Sequence, residues 1–286
     1  MPAPTSHSYY SQRLRLHYLD WGNPTAPPLL LIHGNRDHAH NWDWTAARLR
    51  DRYHIIAPDL RGHGDSQWSA GSTYAPAEYV YDIAQLVHQQ QLAPLRVVAH
   101  SLGGNVALRF AGTFPEAVER LVVIEGWGGI VPDREQPAPP QRMRAWIEAQ
   151  RALAARQPRR YPTLDDAYRR MLEANPHLSA DQARHLTIHG ANQNEDGTYT
   201  WKFDNYIHTS QVLDLPAEQV RELWRSISCP VLLLAGSESW TRSGADPAEL
   251  VDHFVDARHV VVEGAGHWVQ HDQLERFLEL VDEFLA

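Results

Sequence analysis

The segment Val97-Val98-Ala99-His100-Ser101-Leu102-Gly103-Gly104 constrains this chain more than any other. An apolar run that reads as a strand ends on a serine, and a helical pattern over 104–113 follows at once. A chain that passes from strand to helix in so little room must turn sharply at Ser101. Such a turn strains the serine backbone and requires small residues two before and two after it. Ala99 and Gly103 stand at those places. The turn also projects the hydroxyl, which suits a nucleophile. The competing reading is a serine that caps a helix and is followed by glycines.

The rest of the chain repeats the strand-then-helix rhythm. Continuous apolar runs occur at Leu29–Ile32, His54–Ala57, Arg96–Ala99, Leu121–Ile124, Val231–Ala235 and Val260–Val262. Runs without alternation suit strands buried on both faces. Residues 12–20 alternate instead, with Leu14, Leu16 and Tyr18 on one face, which predicts an early antiparallel strand. Helical spacing falls between most of the runs, over 77–91, 104–113 and 272–285. Strands alternating with helices predict an α/β fold, a mainly parallel twisted sheet flanked by helices.

The rhythm breaks between 131 and 228. Prolines are dense from Pro132 to Pro140, and helical patterns follow near 141–157, 163–174, 179–189 and 216–227. No strand run separates them, and Asn192–Gly197 is polar and turn-like. The expectation is a core of residues 1–130 and 229–286, with 131–228 inserted as a helical cap.

Composition narrows the partners. The 286 residues are 43% hydrophobic, enough for a large core. The net charge of −9 argues against a nucleic-acid surface. A single cysteine, Cys229, permits no internal disulfide and suits a reducing, cytoplasmic setting. The N-terminus shows no signal-peptide pattern, and the apolar runs are strand-sized rather than membrane-sized. Oligomeric state is not encoded legibly.

Two further segments supply chemistry. Gly264-Ala265-Gly266-His267-Trp268 follows a short strand, so His267 sits on a glycine-rich loop from which a general base could reach the Ser101 hydroxyl. Against it stands the fact that the chain has 17 histidines, so any one of them alone is a weak candidate. His33-Gly34-Asn35-Arg36 follows the first buried strand. Backbone N–H groups of Asn35 and of Leu102, the latter at a helix start, could together hold a developing oxyanion.

These pieces, with Leu31-Ile32-His33-Gly34 and Asp59-Leu60-Arg61-Gly62-His63-Gly64-Asp65-Ser66, resemble the α/β-hydrolase fold superfamily over essentially the full chain. The resemblance implies Ser101 as nucleophile, His267 as base and a structural role for Asp59–Ser66. It implies cofactor-free hydrolysis of a small carboxylic ester or lactone through an acyl-enzyme. A cofactor-free perhydrolase or haloperoxidase, or a carbon–carbon bond hydrolase, would use the same groups. A non-catalytic receptor on this fold is a further alternative, but it need not keep both Ser101 and His267. Haloalkane dehalogenases and epoxide hydrolases use an aspartate nucleophile, where this chain has Ser101.

The orienting acid departs from the common pattern. Most relatives carry an aspartate after the strand corresponding to Val231–Ala235, but here the stretch reads Gly236-Ser237-Glu238-Ser239-Trp240. Glu125, which ends the strand after the nucleophile helix, is one candidate. Haloalkane dehalogenases and zearalenone lactonases carry their acid on that strand. Glu238 is the other candidate, and Asp246 lies further along the same loop. Arg36, Asp37, His100, Trp127, Trp240 and Trp268 are candidates for substrate contact. Asp37-His38-Ala39-His40-Asn41-Trp42-Asp43-Trp44 is rich in ligand-type side chains, but its spacing matches no tight tetrahedral pattern, and no metal is expected.

Overall fold

The computed structural model describes residues 3–127, 137–208, 214–240 and 250–286. The chain opens with a hairpin, β1 (Thr5–Ser11) and β2 (Leu14–Asp20), then β3 (Pro28–Ile32), α1 (Asp43–Leu49), β4 (His54–Pro58), α2 (Pro76–Gln89), β5 (Leu95–His100), α3 (Leu102–Thr113) and β6 (Val118–Ile124). β1 and β2 pair antiparallel, with Gln12 in the turn at φ 53°. β1 was not anticipated from sequence because most of its residues are exposed and polar.

The main sheet has eight strands in the order β1-β2-β4-β3-β5-β6-β9-β10, completed by β9 (Val231–Gly236) and β10 (Ala257–Val262). β1, β2 and β4 meet antiparallel, and every other pairing is parallel. The continuous apolar runs are explained by burial on both faces. Leu30, Ile32, Val97, Ala99, Leu121, Val123 and Leu233 enter one core. Leu29, Leu31, Val98, Val122, Ile124, Leu232 and Leu234 enter the other. Ile32 pairs with Ala99, Ala99 with Val123, and Ile124 with Leu234, so the strands end in step at one edge. The carboxyl edge of an open parallel sheet is where such folds place ligands.

Between β6 and β9 lie α4 (Pro139–Ala154), α5 (Leu164–Ala174), α6 (Ala180–Gly190), β7 (Ala191–Gln193), β8 (Tyr199–Trp201) and α7 (Ala217–Arg225). The β7–β8 hairpin is a correction to a purely helical reading. It is three residues a side and only partly buried, so it leaves no apolar run to detect. α5 and α6 both begin with capping boxes, Thr163 with Asp166 and Ser179 with Gln182. Leu178, Ala183 and Leu186 form a small cluster against Trp268 of the core. α7 behaves differently, because Val220 and Trp224 are buried in the main core. A Cβ on Gly112 of α3 would lie 2.2 Å from the Leu223 carbonyl oxygen, so the two helices touch at backbone distance. Residues 128–136, which include Pro132 of the proline-rich segment, lie outside the described residues, as does Asp246. The chain ends with a short turn, α8 (Val269–Asp272), and α9 (Leu274–Leu285).

Candidate active site

Ser101 stands between β5 and α3 at φ 51°, ψ −116°. That conformation is costly for a side-chain-bearing residue and persists only where the surroundings impose it. They do so here through contact. A Cβ on Gly103 would lie 2.5 Å from the His33 carbonyl oxygen, so α3 starts directly against the end of β3. Ser101 N still donates to Ile124 O at 2.8 Å, which ties the turn to the sheet ladder.

His267, on the loop after β10, meets the serine with Nε2 2.9 Å from Ser101 Oγ. The loop is anchored on both sides of the ring. Gly266 N donates to Asp272 Oδ2 at 2.8 Å, and His100 Nε2 donates to the His267 carbonyl at 2.9 Å. His100 is fully buried, and burial holds its imidazole well below the usual range. It therefore supports the His267 backbone from beneath.

Glu125 extends β6 by one ladder bond, Glu125 N to Leu234 O at 3.0 Å, then turns out of the sheet at φ 54°. Its carboxylate is buried. Oε1 accepts from Gly236 N at 2.7 Å, and Oε2 lies 3.7 Å from His267 Nδ1. Glu238 is exposed and turns to the insertion, with Oε2 3.7 Å from His177 Nε2. Of these two candidates, the structure brings Glu125 to the histidine and leaves Glu238 on the surface.

The loop after β3 is held just as closely. His33 Nδ1 donates to Gly34 O at 2.7 Å, and its Nε2 accepts from Leu60 N at 3.0 Å. A Cβ on Gly34 would meet His100 Nδ1 at 2.7 Å and Ser101 Cβ at 3.1 Å. Asn35 follows, with its side-chain amide 3.2 Å from His63 Nε2. Leu102 opens α3, where the first N–H groups of a helix have no partner within it. Asp59 fits the structural role expected of it. Its buried carboxylate accepts from Ala39 N, Asp65 N and His17 Nδ1, and those bonds hold it below the usual range despite burial.

The remaining candidates divide. Arg36, Asp37 and Trp268 line a space of about 10 Å³ together with Met171 and Leu186 of the insertion. That is room for about one water, so α5 and α6 pack against the loop after β3. Burial pushes the Asp37 carboxyl up to about 8, although Asn41 and the His38 N–H donate to it. Trp240 is exposed, with its ring centroid 4.9 Å from that of His267. Trp127 packs on the main core, edge-on to His259. Sequence reasoning did not single out Met171 and Leu186. Their only signal was an apolar position at helical spacing, which packing among the helices between β6 and β9 explains equally well.

Residues 29–280 match the alpha/beta hydrolase family. The chain belongs to the alpha/beta hydrolase family. As a member it is a hydrolase, and its sheet, flanking helices and strand order are those of the family fold. It is 29% identical over 269 residues to Esterase Rv0045c of Mycobacterium tuberculosis, covering 92% of this chain and 84% of that protein. It is 28% identical over 271 residues to the sn-1-specific diacylglycerol lipase ABHD11 of Mus musculus, covering 93% and 83%. A crystal structure of the mycobacterial esterase superposes with a TM-score of 0.76 at 26% identity, over 100% of this chain and 92% of that one. The thioesterase domain from the curacin biosynthetic pathway superposes at 0.84 with 23% identity, over 98% and 99%, a likeness of fold. Among the described residues of this alpha/beta hydrolase, no helix is long and apolar enough to cross a membrane.

Proposed function

We propose that this alpha/beta hydrolase is a serine hydrolase of small carboxylic esters or lactones, with Ser101 as nucleophile, His267 as general base and Glu125 as the orienting acid. The observation that carries the reading is the 2.9 Å contact between His267 Nε2 and the hydroxyl of a serine held at φ 51°. The esterase and lipase named among the relatives support an ester as substrate.

The chemistry follows from the geometry. His267 Nε2 takes the Ser101 proton as Oγ attacks the carbonyl carbon. Negative charge then develops on the carbonyl oxygen, and backbone N–H groups of Leu102 and Asn35 stabilise it, helped by the positive end of α3. His267 returns the proton to the leaving alcohol, which leaves an acyl-enzyme on Ser101. Water, deprotonated by the same nitrogen, then releases the acid. Glu125 keeps the Nδ1 proton of His267 facing it and supports the imidazolium. Residues 131–228 act as a cap, and its α5 and α6 pack on the loop after β3 beside Asn35.

Hydrolysis of p-nitrophenyl esters from acetate to decanoate, by wild type and Ser101→Ala, tests the reading. Turnover by wild type that vanishes in Ser101→Ala is expected. Equal rates in both proteins would exclude Ser101 as nucleophile.

A further inference from the structure

Away from Ser101, four ligand-type side chains converge where the insertion meets the core. His40 and Asp43 lie at the entry to α1, and His185 and His189 lie one turn apart on α6. One ligand atom from each can be chosen so that all lie within 4.8 Å of one another. Asp43 Oδ2 is 2.9 Å from His40 Nδ1 and 3.0 Å from His185 Nε2. The His189 ring stacks on His40 at 3.7 Å and sits 4.5 Å from His185.

We propose that His40, Asp43, His185 and His189 bind one divalent transition-metal ion of the zinc class, clamping cap helix α6 to the core. Three imidazoles and one carboxylate form a donor set that such ions favour over magnesium or calcium. Four ligands at about 2.0–2.1 Å in a tetrahedron stand roughly 3.3 Å from one another. Two of the separations here are already near that value, and small side-chain rotations bring in the others. On binding, His40 Nδ1 and His185 Nε2 must present lone pairs to the ion. Their protons therefore move to the opposite ring nitrogens, and no net charge leaves the site.

The hydrogen-bonded state explains the cluster less completely. Asp43 pairs with His40 and His185, but His189 is half-buried among other imidazoles and makes no hydrogen bond among the described residues. The sequence spacing hid the set because two ligands come from α6, more than a hundred residues beyond Asp43. The location gives the ion a consequence. α6 also supplies Leu186 and Gly190 to the space shared with Arg36 and Asp37, so fixing this helix holds the cap closed. The inference does not depend on the serine mechanism.

The test is titration of EDTA-treated full-length protein with Zn²⁺ by calorimetry, and with Co²⁺ by visible absorption. The expected result is one ion per chain, an intense tetrahedral Co²⁺ spectrum and a higher Tm with Zn²⁺. In His185→Gln/His189→Gln, affinity should fall by about a hundredfold or more, since losing outer-shell partners alone costs ten- to a hundredfold. That variant should keep the metal-free Tm and hydrolytic rate of wild type, which establishes that it folds. His267→Ala should still bind the ion. Absence of stoichiometric binding at micromolar Zn²⁺ would overturn the proposal. So would binding that survives in the α6 double variant and is lost in His267→Ala, because the ion would then sit on the catalytic histidine.

Discussion

Glu125 Oε2 and His267 Nδ1 face each other at 3.7 Å, and both atoms are buried without a hydrogen bond. The other carboxylate oxygen is fixed by the Gly236 N–H, so the side chain has little freedom to turn elsewhere. A shift of less than an ångström would make the pair a hydrogen bond, and catalytic bonds often tighten only when substrate is bound. Replacing the carboxylate with an amide keeps the shape, but the Gly236 N–H holds its one acceptor oxygen and the NH2 then faces Nδ1. Glu125→Gln is therefore expected to lower kcat by about a hundred- to ten-thousandfold with an unchanged Tm. Glu238→Gln should behave as wild type. Steady-state kinetics on p-nitrophenyl acetate reads both, and the reverse pattern would move the acid to Glu238.

Gly103 offers a steric test of the serine turn. An added Cβ would lie 2.5 Å from His33 O and 2.6 Å from Ile32 O, and both are backbone atoms that cannot rotate away. Gly103→Ala must then push α3 off β3. The expected cost is about 1–3 kcal/mol in urea denaturation, with kcat falling because Ser101 loses its alignment to His267. A variant with wild-type stability and rate would mean that the turn tolerates displacement.

How much of this was legible in the sequence depended on which interactions are local. β3, β5, β6 and β9 announced themselves because burial on both faces demands an unbroken apolar run. Ser101 was legible because its strained turn dictates its neighbours at Ala99 and Gly103. β1 and the β7–β8 hairpin were not, since exposed edges carry no apolar pattern. The difference between Glu125 and Glu238 lies in where each side chain points, one under β9 and the other toward His177. The bond from His100 to the His267 carbonyl joins residues far apart in the chain, so adjacency to Ser101 could not reveal it. The pairing of His40 with His189 depends on how α6 docks, which periodicity cannot report.

Buried histidines make the fold acid-sensitive. Burial holds His38 and His271 down to about 3, and neither ring nitrogen of His271 has a hydrogen bond. In the unfolded chain each titrates near 6.5. Between those values the unfolded state binds protons that the native state refuses. Stability is therefore full above about pH 6.5 and falls as pH drops toward 3, by up to about 1.4 kcal/mol per pH unit for each histidine. Asp37 works the other way. Its carboxyl is raised to about 8, so the native state holds an extra proton above the ordinary aspartate range, which favours folding as pH falls from 8. Urea unfolding from pH 8 to 4 should show a maximum near the histidine range and a steep acid limb. His271→Phe, which keeps a ring against Trp44 and Trp268, should make that limb shallower by one proton. An unchanged slope would mean that His271 is already protonated in the native state.

Arg61, within the loop Asp59–Ser66, has a fully buried side chain. Nε and Nη2 donate to the two oxygens of Asp82 at 2.6 and 2.8 Å, and Nη1 donates to Glu78 at 3.0 Å. Truncating one member of a buried pair costs more than the pair contributes, because the other charge is left without a partner. Arg61→Met is expected to lose about 3–5 kcal/mol on that ground. Arg61→Met/Asp82→Leu removes both charges and should recover a large part of the loss, even though Glu78 also gives up its partner. The double-mutant cycle in urea separates the attraction between the charges from the cost of burying them. If the double variant were as unstable as the sum of the two single variants, the penalty would lie in lost packing of the Arg61 stem and not in an orphaned carboxylate.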